Sequence, residues 1–233
     1  MRRLFNNRLH AGKLLAGRLH SYAGRDDVIV LGLPRGGVPT AFAVAEDLAA
    51  PLDVLLVRKL GLPGYPEYAI GAVAGEGPCL LNLEELRLLG MPAAALNEEV
   101  DREREEIARR EVRYRGGRPP PQLRDRIVLL VDDGMATGAT MRMAILVARQ
   151  ARPAKIIVAV PVAPQEVYRA LAGEVDALVC LHTPHPFHSV GEWYRDFEQV
   201  GDEEVASLLA RAWRGVPGAT ISTRICRNNS TAG

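Results

Sequence analysis

An excess of charge of either sign is missing from this 233-residue chain. Its 29 Lys and Arg face 28 Asp and Glu, a formal net charge of +1. No global field therefore recruits nucleic acid or an anionic membrane surface. Cysteine is scarce: Cys79, Cys180 and Cys226 are odd in number, far apart and without ligand spacing. That argues against a disulfide framework and reads as reduced thiols in a cytoplasmic protein. No apolar run approaches the length of a membrane-spanning helix, and no internal repeat is visible. G-x-S-x-G is absent and no nucleophile–base pair is evident, which argues against a hydrolase of that kind. G-x-G-x-x-G is absent as well, which argues against a dinucleotide fold.

What is present suits one α/β domain. Hydrophobic residues make up 48% and charged residues 24% of the chain, ordinary proportions for a globular domain of this length. Short apolar runs at Val28–Leu31, Val54–Val57, Ile127–Val131, Ile156–Val160 and Ala177–Cys180 alternate with helical patterns near 38–49, 92–115, 138–151 and 164–172. Such alternation predicts a doubly wound, mainly parallel sheet flanked by helices. A pair of short strands at Ala69–Ala74 and Pro78–Leu81 would form a small hood or flap. Residues 1–25 carry six bases and no acid. They lack a signal peptide's continuous apolar core and read as a basic helix packed on the domain, with no recognition module for DNA. Residues 26–213 form the domain proper, and residues 214–233, poor in apolar side chains, read as a disordered tail. The stretch 97–115 is dense in i,i+4 ion pairs such as Glu98–Arg102 and Glu106–Arg110. It would lie across the domain or against a partner subunit, which leaves a homodimer open.

The densest information lies in residues 127–140, IVLLVDDGMATGAT. Five apolar residues, too few for a helix and too uniform for a one-sided strand, suit a central parallel strand buried on both faces. Asp132 and Asp133 end it, and a turn of small residues leads into a helix beginning near Thr137–Gly138. Inward amides, a helix N-terminus and Thr hydroxyls make an anion cradle. A P-loop would need a lysine where Ala139 stands. Two acids beside a phosphate are tolerable only if they bind something further along the ligand, such as a ribose diol or Mg²⁺. The pattern is that of a site for a ribose 5-phosphate. Ligands of parallel sheets bind at the carboxyl ends of the strands. There the first run is followed by Pro34-Arg35-Gly36-Gly37, the second by Arg58-Lys59 and the third by the acid pair.

This stretch resembles the 5-phosphoribosyl-1-pyrophosphate (PRPP) motif of the type I phosphoribosyltransferases. Arg58-Lys59-x-Gly-x-Pro-Gly is similar to the stretch after the second strand of adenine phosphoribosyltransferases, where the superfamily often carries a pyrophosphate loop with a non-proline cis peptide. The span from about 26 to 200 also resembles a group of bacterial phosphoribosyltransferase-domain proteins through GLPRGGVP, PEYAIGAVA, VDDGMATGAT and WYRDFEQV. The resemblance implies a Mg²⁺-dependent pentosyltransferase that displaces pyrophosphate from PRPP with a nitrogen nucleophile, a nucleobase being the expected small-molecule acceptor. It assigns the ribose hydroxyls to Asp132 and Asp133. Ala136, Thr137, Gly138, Ala139 and Thr140 would clasp the 5′-phosphate, with Gly134 in the same PRPP site. Arg35, Gly36 and Gly37 would hold the pyrophosphate from one side, with Arg58 and Lys59 stabilising its departing charge.

By the same resemblance Trp193 or Tyr194 stacks on the base, and Asp196 joins Asp133 at the Mg²⁺. Glu67 and Tyr68 are further candidates for a base or lid contact. Ala136 stands where 6-oxopurine enzymes place an aspartate, and Pro161-Val162-Ala163-Pro164 where they place a lysine. A guanine or hypoxanthine acceptor is thereby disfavoured. Cys180, His182, His185 and His188 form a cluster whose metal-binding capacity Pro184 and Pro186 interrupt. The alternative to an enzyme is a non-catalytic PRPP- or nucleotide-sensing regulator on the same fold.

Overall fold

The computed structural model describes residues 3–62, 65–74, 79–81, 83–88 and 93–214. The chain runs α1 (Arg8–Arg18), β1 (Val28–Gly32), α2 (Gly37–Leu48), β2 (Leu52–Val54), β3 (Arg58–Leu62), β4 (Tyr65–Val73), β5 (Leu80–Leu81) and α3 (Leu83–Leu88). It continues through α4 (Ala93–Arg115), β6 (Ile127–Val131), α5 (Ala139–Gln150), β7 (Lys155–Val162), α6 (Gln165–Ala172), β8 (Ala177–His182) and α7 (Asp202–Arg214). Five strands form one parallel sheet in the order β2-β1-β6-β7-β8. The doubly wound α/β architecture expected from the alternation is the one observed.

Every residue of β1 and β6 is buried, because side chains of alternating direction meet helices on both faces. Val28, Val30, Leu129 and Val131 pack with Val38, Phe42 and Leu48 of α2 and Leu209 of α7. Ile29, Leu31, Val128 and Leu130 pack with Met141, Ala144 and Ile145 of α5 and Leu171 of α6. The edge strand β2 is closed by the Trp213 indole, whose Nε1 donates to the Leu52 carbonyl at 2.9 Å.

At the N-terminus, α1 starts at Asn7, whose side chain accepts from the His10 amide, satisfying one orphan donor of the first turn. It buries Ala11, Gly12, Leu15 and Ala16. Its backbone lies so close to α2 that a Cβ on Gly12 would strike the Thr40 carbonyl. Ahead of it, the Leu4 and Phe5 amides donate to the Trp193 carbonyl, and Phe5 forms a parallel bridge with Tyr194. The segment ahead of α1 and the segment around Trp193 thus build one small hood, cored by Phe5, Ala11, Val162, Trp193 and Tyr194.

Two expectations change. The run Val54–Val57 is not a strand: β2 ends at Val54, and Leu55 and Val57 leave the sheet to pack on the α5 side while Leu56 joins the opposite core. Arg58 and Lys59 are then not a loop at a strand end. They open β3, which pairs antiparallel with β4, and β4 with β5, in a separate three-stranded flap. The flap itself is larger than the two short strands foreseen. The expected tail lies outside the described residues from 215 on, with Arg214 still in α7; Cys226 lies outside them too.

A buried ion pair ties α4 to the edge of the sheet. Arg115 Nε donates to Asp53 Oδ1 at 3.0 Å, Nη1 to Glu111 at 2.6 Å and Nη2 to the Val54 carbonyl at 2.9 Å. The guanidinium is 5% exposed and the Asp53 side chain 10%.

Candidate functional site

The acid pair stands at the carboxyl end of β6, beside the turn that follows β1. Leu33, Pro34, Arg35, Gly36, Asp132, Asp133, Phe197, Gln199, Val200 and Arg8 line a cavity of about 410 Å³. The Pro34–Arg35 peptide is cis, so the non-proline cis peptide occurs here and not beside Arg58. Glycine is required in this turn by the acids themselves: a Cβ on Gly36 would collide with Asp133 Oδ2, and one on Gly37 would lie 2.7 Å from Asp132 Oδ1.

Both carboxyls are pushed up from their ordinary range. For Asp132 burial is the larger cause and the charge of Asp133 the next. For Asp133 burial raises it while the Arg8 guanidinium opposes the shift. The Asp133 amide donates to Asp132 Oδ1 at 2.8 Å, Arg8 Nε donates to Asp133 Oδ2 at 2.7 Å, and the Tyr194 hydroxyl donates to the Asp133 carbonyl at 2.6 Å. Arg35 lines the same cavity, its Nη1 3.8 Å from Oδ1 of Asp202. Asp202 in turn accepts from the Tyr114 hydroxyl at 2.6 Å and Arg113 at 3.0 Å.

After the acids, residues 134–138 form an open turn. Met135 donates to the Val162 carbonyl, and a Cβ on Gly134 would strike Val190 and Val162. Gly138 caps α5 with φ of 73°, a left-handed conformation that glycine adopts without penalty. Ala136, Thr137, Ala139 and Thr140 are exposed. Among the described residues, the amides of Ala136, Thr137, Gly138 and Thr140 find no hydrogen-bond acceptor, and all lie at the positive end of a 12-residue helix. Unsatisfied amides on a helix N-terminus suit a phosphate.

Arg58 and Lys59 lie apart. They line a second cavity of about 300 Å³ with Val57, Gly61, Glu99, Arg102, Glu103, Thr140 and Met143, and Arg58 Nε donates to Glu103 at 2.5 Å. Thr140, at the end of the amide turn, lines this cavity too. A larger cavity, about 830 Å³, sits under α4 with apolar walls from Leu31, Val54, Leu56, Ala108 and Leu123; it contains neither the acid pair nor the amide turn.

The sequence model of the phosphoribosyl transferase domain matches residues 3–178. This chain belongs to that family. Two relatives from Mycobacterium tuberculosis, strains CDC 1551 / Oshkosh and ATCC 25618 / H37Rv, are provisionally named phosphoribosyl transferases. Each is 47% identical over 212 residues, covering 91% of this chain and 48% of the relative. The chain thus spans about half the length of these curated relatives. Among solved structures, the protein TT1426 from Thermus thermophilus is similar over 91% of this chain and 99% of its own, at 44% identity and a TM-score of 0.78.

Within this phosphoribosyltransferase domain, several residues stand elsewhere than their sequence context suggested. Trp193 and Tyr194 are 6% and 2% exposed. Tyr194 packs between Phe5 and Phe197, and Trp193 lies against Phe187. Both are buried aromatics of the hood in this structure, and the aromatic that lines the cavity of the acid pair is Phe197. Asp196 is exposed, accepts from the Glu198 amide at 3.3 Å, and does not line the cavity of the acid pair. Among the described residues no group of three acids, histidines or cysteines is placed to hold a metal ion by itself. Cys180 donates to the His182 carbonyl, and burial pushes its thiol up to about 11. The side chains of Glu67 and Tyr68 lie outside the described residues. The residue that sequence reasoning missed is Arg8, whose guanidinium lies over the Phe197 ring at 3.7 Å while bonding Asp133.

Proposed function

We propose that this domain binds PRPP with Mg²⁺ and transfers its phosphoribosyl group to a small nitrogen nucleophile, with release of pyrophosphate. One observation carries the reading: the acid pair and the Pro34-Arg35-Gly36 turn share a cavity, and the amide turn on the N-terminus of α5 follows directly in sequence. A ribose has its 5-phosphate and its anomeric substituent at opposite ends with the diol between them, and these three sets of groups come in that order. The free amides of Ala136, Thr137, Gly138 and Thr140 would hold the 5′-phosphate, Asp132 and Asp133 the diol, and the amides of Arg35 and Gly36 with the Arg35 guanidinium the pyrophosphate, the Gly37 amide being spent on the Leu33 carbonyl.

The donor set suits Mg²⁺, which is usually held through one or two carboxylates plus substrate phosphate oxygens and not by an all-protein cage. Asp133 Oδ1 and Asp132 Oδ2 accept no hydrogen bond among the described residues, so oxygens remain for it. When bound, Mg²⁺ would neutralise charge that builds on the departing pyrophosphate. The protein's own share is orientation of C1 by the diol contacts, stabilisation of leaving-group charge by backbone amides and Arg35, and exclusion of water from an oxocarbenium-like centre. The acceptor is proposed to be a nucleobase other than a 6-oxopurine, from Ala136 and the Pro161–Pro164 segment. No helix among the described residues is long and apolar enough to cross a membrane, and we place the reaction in the cytoplasm.

Calorimetric titration with Mg·PRPP, followed by a pyrophosphate-release screen over nucleobases and small amines, tests this reading. Binding with acceptor-dependent release supports it, and absence of PRPP binding defeats it. The separation of Arg58 and Lys59 from the acid pair, with Arg58 held by Glu103, favours a second reading, a PRPP-sensing regulator. Binding without release from any acceptor would select that one. For the enzyme, the flap that carries Lys59 must act on the leaving group as it departs. Lys59→Ala is then expected to lower kcat by about a hundredfold while changing the dissociation constant of PRPP far less. Equal losses in both quantities would remove Lys59 from transition-state stabilisation.

A further inference from the structure

Arg8 enters the cavity from α1, the one lining residue supplied by the N-terminal helix. Its guanidinium is held on three sides: Nε donates to Asp133 Oδ2 at 2.7 Å, Nη1 donates to the Glu198 carbonyl at 2.7 Å, and the plane lies over the Phe197 ring at 3.7 Å. The side chains of Arg8 and Asp133 are 11% and 13% exposed. A buried pair of this kind is weak evidence for stability, because desolvating both charges offsets much of their attraction. The packing of α1 does not call for it either. That helix is anchored by Gly12 against α2, by its Asn7 cap, and by the Leu4 and Phe5 amides on Trp193.

The grip on Asp133 is organised from the hood. Arg8 holds its carboxylate, Tyr194 holds its carbonyl, and Gly36 closes against the same Oδ2 that Arg8 bonds. With Oδ2 engaged, Oδ1 is the carboxylate oxygen left for a ligand. Resting on the PRPP reading above, we infer that Arg8 is a positioning residue of the PRPP site: it fixes the rotamer of Asp133, so that the free oxygen faces the ribose diol and the metal-bearing side of the ligand. The N-terminal helix is therefore a working wall of the site, and seating of the hood and readiness for PRPP are one event.

The test is a double-mutant cycle read by calorimetric titration with Mg·PRPP, using wild type, Arg8→Gln, Asp133→Asn and the double variant, with Arg8→Lys as the conservative change. Arg8→Gln is expected to weaken binding by about tenfold to thirtyfold, and Arg8→Lys, which keeps charge but loses the fork, by less. The double variant should bind no more weakly than Asp133→Asn alone, because Arg8 acts through that carboxylate. A merely structural role would give additive losses and no rescue by lysine. Additivity, or unchanged affinity in Arg8→Gln, overturns the inference while leaving the PRPP reading intact. Unchanged affinity in Asp133→Asn and in Asp132→Asn together would instead strike the PRPP reading, and this inference with it. If Arg8→Gln does not fold, with circular dichroism lost at 25 °C, Arg8 is a structural residue and the inference is overturned.

Discussion

Asn at both 132 and 133 is expected to weaken Mg·PRPP binding by about a hundredfold, equivalent to about 2.8 kcal/mol. The substitution is nearly isosteric, so the 127–131 strand and the amide turn should persist. What is lost is two anionic oxygens that take the ribose hydroxyls and the cation. Asparagine keeps one acceptor per side chain but offers an amide where a carboxylate faced Arg8, and it removes the charge for which Mg²⁺ is attracted to the site. A melting curve should be recorded alongside, because neutralisation relieves the like-charge repulsion of two carboxyls already disfavoured by burial but leaves the buried Arg8 guanidinium without its counter-charge. Calorimetry showing wild-type affinity in the double variant would sink the ribose-diol assignment.

Arg115→Ala is expected to destabilise the fold by about 3–5 kcal/mol, the usual cost of leaving a buried charge without its partner. Asp53 is 7% exposed and would lose the Arg115 Nε donor, while the Val54 carbonyl would lose Nη2. The deficit should depend on pH, with a definite sign. Burial raises the folded-state value of Asp53 above 3.8, and Arg115 is the main influence holding it down. A raised acid binds more protons folded than unfolded, so stability falls as pH rises through the window that begins at the unfolded value. Removing Arg115 extends that window upward. The difference between variant and wild type, measured by urea unfolding, should therefore be greatest at neutral pH and shrink as the solution is acidified towards the carboxylate range. A deficit independent of pH would mean that packing, and not the stranded carboxylate, is responsible.

Much of the fold was legible because a parallel sheet covered on both faces leaves an uninterrupted apolar signature. Ile127–Val131 is a strand over the residues expected, and the helix after it starts within two residues of its anticipated origin. The second strand was misjudged for a physical reason. Leu55, Leu56 and Val57 remain apolar after the ladder stops because they thread between two cores on the way to the flap, and hydrophobicity does not distinguish a ladder from such a passage. That misjudgement set Arg58 and Lys59 at the end of a sheet strand, whereas they open β3 of the flap. The pattern at Trp193 and Tyr194 reports aromatic character and not how each ring is packed, which depends on Phe5 and Phe197 for Tyr194 and on Phe187 for Trp193. Arg8 had no local signal at all, since its partner is 125 residues away and bases on a helix otherwise read as solvated.

The hood also dictates when the domain can become competent during synthesis. Phe5 is made before Tyr194 and cannot be bridged until that residue follows, and the Arg195 and Asp196 amides then donate back to the Phe5 and Asn6 carbonyls. The central sheet can assemble from nearer contacts, whereas closure between residues so distant in the chain carries a larger entropic cost. A nascent chain halted before this segment would thus hold a formed sheet and an open acid pair. In the finished protein the amides of Leu4, Phe5, Arg195 and Asp196 would exchange with deuterium sooner than those of the central strands, as one cooperative unit.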